Sequence, residues 1–200
     1  MVVSRETDEK LKAYLALLEK WQPKINLISN STLDNAWERH FEDSLQVLDA
    51  LPDGENTLYD LGSGAGFPGL VLAIARDDLD VHLIESDQKK CVFLKTVSRE
   101  TKTPAQIHNC RIESVSRETD ELAMPDIITA RALASLDELF EYCADWIEVN
   151  PDLTLIFMKG ENVDKELQKL EGKWKFNCRT CASKTAENAK ILIFTDVYRV

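Results

Sequence analysis

Four of the chain's seven glycines fall within eight residues, at Gly62, Gly64, Gly66 and Gly69. They follow Asp60, an acid near the end of the short apolar run TLYDL (57–61). Glycine permits positive φ and lets another molecule approach the backbone closely. A tight strand-to-helix turn needs only one or two glycines, so four at this spacing point to a loop shaped around a ligand. Glu85, 23 residues beyond Gly62, closes the next apolar run. A carboxylate in that place can accept hydrogen bonds from both hydroxyls of a ribose, which indicates an adenosine cofactor. Gly64-x-Gly66-x-x-Gly69 matches the dinucleotide fingerprint in form, a weak signal alone. Asp60 tips the balance. A negative charge before the first glycine opposes a pyrophosphate and suits the sulfonium and ammonium of S-adenosylmethionine.

The elements that must carry this loop are legible in the hydrophobic pattern. Leu11, Tyr14, Leu15, Leu18 and Trp21 recur at helical spacing, so 6–21 is expected to be an amphipathic helix that ends before Pro23. A second helix is expected from Ser31 or Thr32 to about Leu51, and PDGEN (52–56) is turn chemistry. Beyond it, apolar runs at 57–61, 80–85, 105–109, 126–130, 153–158, 174–180 and 190–197 read as strands. Helices fit at 68–76, 87–101, 135–148 and 161–171. Alternation of strand and helix predicts an α/β fold with a mostly parallel seven-stranded sheet covered on both faces. The short link near KTAENA predicts that the last two strands form an antiparallel hairpin. The expected organisation is a helical extension at 1–51 and a cofactor-binding domain at 52–200. The pentapeptide VSRET occurs at 3–7, 97–101 and 115–119, in unlike contexts and at unequal intervals, and reads as coincidence.

Bulk composition bounds the function. Two hundred residues can bury a substantial single core. There is no apolar run long enough to span a membrane and no export signal, so a cytoplasmic location is expected. Five cysteines without framework spacing read as reduced thiols. The lone pair Cys178-x-x-Cys181 lacks the further ligands of a zinc site, and no metal is expected. No association stripe stands out, so a monomer is expected. The net charge of −11 argues against a surface that binds nucleic acid everywhere. It leaves room for a local basic patch. Lys95, Arg99 and Lys102 fall on one face of the 87–101 helix region, within a stretch (86–102) that holds five cations against two acids. An ordinary solvated face is the competing reading.

Taken in order, RHFEDSL (39–45), DLGSGAGFPG (60–69), ESDQKKCVFLK (85–95), RIE (111–113), ITARALASL (128–136) and MKG (158–160) resemble the successive motifs of the RsmG (GidB) family. The resemblance runs from about residue 4 to the end. It implies a class I, Rossmann-like S-adenosylmethionine methyltransferase fold. The activity it implies is methylation of guanine N7 at position 527, in the 530 loop of 16S ribosomal RNA, with the RNA or the small ribosomal subunit as partner. It also implies that Gly62 and Phe67 line the cofactor pocket, with Gly64 and Gly66 in the same loop. Glu85, Ser86 and Asp87 would surround the ribose, Ile112 and Glu113 would meet the adenine, and Arg131 would face the cofactor and the reaction centre. Arg39 and His40 would border the cofactor mouth, and Lys159 would stand near its rim.

Guanine N7 carries a lone pair and no proton, so its methylation needs no general base. Catalysis then rests on alignment and control of charge. The sequence agrees, because no Cys or Ser nucleophile–base set stands out and the N-P-P-[YF] signature of amino-methylating enzymes is absent from PDIITARA (125–132). Arg131 is expected to orient cofactor or base, the alternative being a salt bridge to Asp60 or Glu113. Arg39 and Asp43, four apart, can pair on a helix. Two other functions compete: a nicotinamide-dependent oxidoreductase, and a ribosome assembly module that senses the cofactor without catalysis.

Overall fold

The structure, a computed structural model, describes residues 3–115 and 122–200. Its strands are β1 (Asn56–Leu61), β2 (Leu79–Ile84), β3 (Gln106–His108), β4 (Ile127–Arg131), β5 (Thr154–Lys159), β6 (Trp174–Ala182) and β7 (Lys190–Arg199). They form one sheet in the order β3-β2-β1-β4-β5-β7-β6. The first five are parallel, and β7 runs antiparallel to both β5 and β6. The expected hairpin is therefore present, with β7 folded inside and β6 on the edge. Their compositions explain the order. β7 carries the buried run Ile191–Phe194, whereas β6 is largely exposed.

The helices are α1 (Arg5–Trp21), α2 (Asp43–Leu45), α3 (Gly69–Ala75), α4 (Gln88–Glu100), α5 (Ile112–Val115), α6 (Leu136–Val149) and α7 (Val163–Leu170). One sheet face packs under α1, α3 and α4, and the other under α6 and α7. Strand alternation sorts β1 between them: Leu58 faces the first layer, Tyr59 and Leu61 the second. The segment before β1 has no core of its own among the described residues. Leu11, Tyr14 and Leu18, spaced by three and four, bury the stripe of α1 in the first layer.

Local signals start these helices. Ser4 caps α1 by accepting from Thr7 N, Asp87 caps α4 through Lys89 N and Lys90 N, and Ser135 with Glu138 forms a capping box on α6. The VSRET copies thus do unlike things. The first opens α1, the second closes α4, and the third lies outside the described residues except for Val115.

The expected continuous helix from 31 or 32 to 51 is corrected. A short 3-10 turn at Asn30–Thr32 is followed by a break, then π winding over Trp37–Glu42, α2, and a 3-10 turn at Gln46–Ala50. Asp34 and Asn35 favour turns over helix, and Leu51 is held extended ahead of Pro52. The rings of Trp37 and Phe41 stack at 5.3 Å within the π-wound turn. Such turns recur where a helix must re-aim side chains at a site.

Gly66 and Gly64 both have positive φ but differ in surroundings. A Cβ at Gly66 would meet Tyr14 Oη at 2.5 Å and Leu94 Cδ2 at 2.9 Å, whereas one at Gly64 would meet only the Gly62 carbonyl at 3.8 Å. Gly66→Ala is expected to cost about 2–4 kcal/mol of stability from strain plus overpacking, and Gly64→Ala about 1 kcal/mol from strain alone. Urea unfolding midpoints measure both. Equal losses would show that the crowding around Gly66 does not govern the loop.

Candidate cofactor site

The glycine loop leaves β1 at the point where strand order reverses between β1 and β4, the place where ligands bind in open α/β sheets. It is pinned from three sides. Tyr14, fully buried in α1, donates its hydroxyl to the Ala65 carbonyl. Glu85 Oε2 accepts from Gly64 N at 2.8 Å, while its Oε1 accepts from Asp87 N at 2.7 Å. Asp60 accepts from Thr129 Oγ1 at 2.8 Å and from Gly69 N at 3.3 Å. Gly69 has no room for a side chain, since a Cβ would stand 2.6 Å from Asp60 Cβ.

Above the loop opens a cavity of about 540 Å³. Of the residues expected at the site, Gly62, Gly64, Phe67, Glu85, Ser86, Ile112, Glu113, Arg131 and His40 line it. Ile112 and Glu113 begin α5, directly after β3. Asp60 does not line the cavity. It is wholly buried beneath the loop, because its place in β1 turns it toward α3. Gly66 packs against Tyr14 and Leu94, and Asp87 spends its carboxylate on capping α4.

The surface cations also sort differently. Lys159 is a buried tether: its Nζ donates to the Ala134 carbonyl at 2.7 Å and pairs with Glu166 at 2.9 Å. Arg99 pairs with its neighbour Glu100, and Lys95 and Lys102 are exposed along α4 and just beyond it, away from the cavity lining. Arg39 turns outward to the Thr185 carbonyl at 3.3 Å and does not pair with Asp43. Cys178 is exposed and Cys181 packs on the core, on opposite sides of β6, and they form no disulfide.

Arg131, the last residue of β4, is the centre of the site. Its Nη2 donates to the Arg39 carbonyl at 2.7 Å and to His40 Nδ1 at 3.0 Å, and lies 3.5 Å from Asp43 Oδ2. The expected partners Asp60 and Glu113 are not its ion pair. The guanidinium stands over the Phe67 ring at 5.9 Å. Its Nη1 is buried with no hydrogen-bond partner in the protein. A buried donor left open beside a cavity is costly unless a ligand completes it. Ala132, next in the chain, holds a left-handed φ of 52° that keeps the strand from continuing.

Burial sets the protonation states. It pushes the His40 imidazole down to about 4, with Arg131 adding to the effect. Since Nδ1 accepts from Arg131, the proton sits on Nε2, which is 2.9 Å from Thr32 Oγ1. Burial also raises the Asp60 carboxyl to about 6, against the opposing pull of Thr129, Ser63, Gly69 and Arg131. Desolvation lowers Arg131 from its ordinary value, opposed chiefly by Asp43.

Part of the lining had no sequence signal. Leu27, Ile28, Ser29 and Thr32 form one lip of the cavity. They are shaped by Gln22, which accepts from Leu27 N and Ile28 N, each at 3.1 Å, and donates to the Ile28 carbonyl at 2.7 Å. A glutamine just past a helix reads as surface. Lys90, Arg111, Leu133 and Tyr142 complete the walls.

The strand order, the antiparallel β7 and a cavity over a glycine loop define the class I methyltransferase fold. Solved structures share it. A mutant of MtNAS in complex with S-adenosylmethionine superposes with a TM-score of 0.61 at 14% identity, over 94% of this chain and 76% of that one. A precorrin-6y methyltransferase from Geobacter metallireducens gives 0.52 at 11% identity, over 88% and 91%. The chain belongs to the rRNA small subunit methyltransferase G family (GidB), which matches residues 7–191. The ribosomal RNA small subunit methyltransferase G of Rhodospirillum rubrum is 43% identical over 197 residues, 98% of this chain and 94% of that one. Its counterpart from Rhodospirillum centenum is 44% identical over 195 residues, 98% and 87%.

His40 gives the site a pH signature. Its folded value of about 4 lies below the ordinary 6.5, so the folded state resists the proton that the unfolded chain takes up. The contribution of neutral His40 to stability is full above pH 6.5 and is lost as pH falls toward 4. Asp60, raised from 3.8 to about 6, acts with the opposite sign in an overlapping range, so a comparison is needed. The stability difference between wild type and His40→Gln is expected to shrink on acidification from 6.5 to 4, as read by urea unfolding. A constant difference would refute the neutral buried imidazole.

Proposed function

We propose that this protein methylates N7 of a guanine in 16S ribosomal RNA, position 527 in the 530 loop, with S-adenosylmethionine as methyl donor. Its place of action is the cytoplasm and its working form a monomer. Among the described residues, no helix is long and apolar enough to cross a membrane. Family membership supports an rRNA substrate, and the state of the bases in the cavity supports N7 as the acceptor.

That state carries the reading. His40 is engaged at both ring nitrogens and kept neutral, and each oxygen of Glu85 already accepts a backbone N–H. Neither stands ready to take a proton from an exocyclic amine. An acceptor with an in-plane lone pair needs no such group, and alignment supplies the rate. The donor, when bound, provides an electrophilic methyl on a sulfonium.

The residues present fit that donor. Gly64 offers backbone with open space above it. Glu85 keeps lone pairs for ribose hydroxyls, since a carboxylate has about four acceptor sites and two are used. Ile84, Ile112 and Leu133 supply apolar wall for a purine. The open Nη1 of Arg131 matches an anionic group, and the carboxylate is the only one the donor has.

The test uses labelled S-adenosylmethionine and small ribosomal subunits from cells lacking this protein. One methyl group at N7 of one guanine is expected. Its single-turnover rate should be flat from about pH 7 to about pH 9, because no proton leaves the acceptor. Label on an exocyclic amine, or a rate that climbs with pH through a single ionisation, would overturn the assignment. Cofactor binding without transfer to any subunit RNA would favour the sensing module instead.

A further inference from the structure

Asp43 is buried, yet it lies in the N-terminal segment and touches three separate parts of the chain. Its Oδ1 accepts from Thr185 Oγ1 at 2.8 Å, from Ser183 Oγ at 2.9 Å and from Gln46 Nε2 at 3.2 Å. Its Oδ2 faces Arg131 Nη2 at 3.5 Å. One carboxylate oxygen has two lone pairs, so three neutral donors saturate Oδ1 and fix the plane of the group. The second oxygen is left for the guanidinium.

The donors come from the loop that joins β6 to β7. Ser183 N closes this loop on the Ala189 carbonyl at 2.8 Å. Thr185 N donates to Ser183 Oγ at 3.2 Å, so the two hydroxyls are themselves held in place. Lys184 N donates to Gln46 Oε1 at 2.7 Å, and Arg39 reaches the Thr185 carbonyl. The loop thus grips the segment that carries Asp43 and His40, and through them it reaches Arg131.

We infer that Asp43, held by Ser183 and Thr185, is a positioning residue that aims the open edge of Arg131 into the cavity. The inference rests on the cofactor reading above and deepens it. With Nη2 fixed by Asp43, His40 and the Arg39 carbonyl, the planar guanidinium has one orientation, and Nη1 is the donor it presents to a ligand carboxylate. Preorganised donors of this kind act without reorganising when the ligand arrives. The alternative is that Asp43 merely ties the N-terminal segment to the hairpin loop.

Two ligands separate these roles. S-adenosylmethionine carries the carboxylate, and methylthioadenosine has the same nucleoside without it. Affinities of wild type, Asp43→Asn and Ser183→Ala/Thr185→Val are measured by calorimetry, with melting temperatures alongside. Affinity for S-adenosylmethionine is expected to fall about tenfold in Asp43→Asn, the size of a lost charge-assisted contact, and by a smaller factor in the loop variant. Affinity for methylthioadenosine should stay within twofold of wild type. An equal fall for both ligands, or no fall for either, overturns the inference. If Asp43→Asn fails to fold, the same two-ligand comparison in the loop variant decides between the roles. Wild-type protein that bound neither ligand would sink the cofactor reading and this inference with it.

Discussion

A guanidinium buried at the end of β4 is the constraint around which the site is arranged. An arginine cannot shed its charge to escape burial, so its surroundings must supply acceptors. β4 supplies none of those observed. They come from the N-terminal segment, as the Arg39 carbonyl, His40 Nδ1 and Asp43. The π winding over Trp37–Glu42 and the short α2 after it bring all three to one place. Phe67 gives the guanidinium an aromatic face and stacks on both His40 and Tyr14. The helical segment before β1 is therefore part of the cavity wall, and its geometry follows from the need to satisfy one charge.

The glycine loop shows the complementary solution. Its backbone must stay open toward the cavity, so the groups that hold it act from beneath and from the sides. Tyr14 takes the Ala65 carbonyl, Glu85 takes Gly64 N, and Asp60 takes Gly69 N. Tyr14 belongs to α1, and its ring fills the space that the missing side chain of Gly66 leaves. Helix packing and ligand clearance are thus solved by the same contact.

Much of this was legible in the sequence. Apolar runs located every strand to within one or two residues, because a sheet buried on both faces requires such runs whatever the tertiary detail. Glycine spacing located the loop, and the strand-end rule located Glu85 and Arg131. The failures share a cause. The helix expected to 51 breaks, and Asp43 pairs with Arg131 in place of Arg39, because contacts with residues 131 and 183–185 decide that geometry. Local periodicity carries no record of partners 90 to 140 positions away. Lys159 was expected at the rim for its charge, but its position at the end of β5 gives it Glu166 and the Ala134 carbonyl as partners. Asp60 is different. It shares a β1 face with Leu58, so strand parity alone turns it away from the ligand and toward Gly69.

The protonation states join these observations to the chemistry. Asp60, His40 and Arg131 are all shifted by desolvation before anything else, each toward its neutral form. A site built for proton transfer needs a base poised near the working pH and open to its substrate. Here the imidazole is held far below that pH and bonded on both sides, while the acid lies sealed under the loop. The same burial that disqualifies these groups as bases makes them rigid. A rigid, largely dry frame suits a reaction in which the acceptor already has its electron pair and only the line of approach remains to be set.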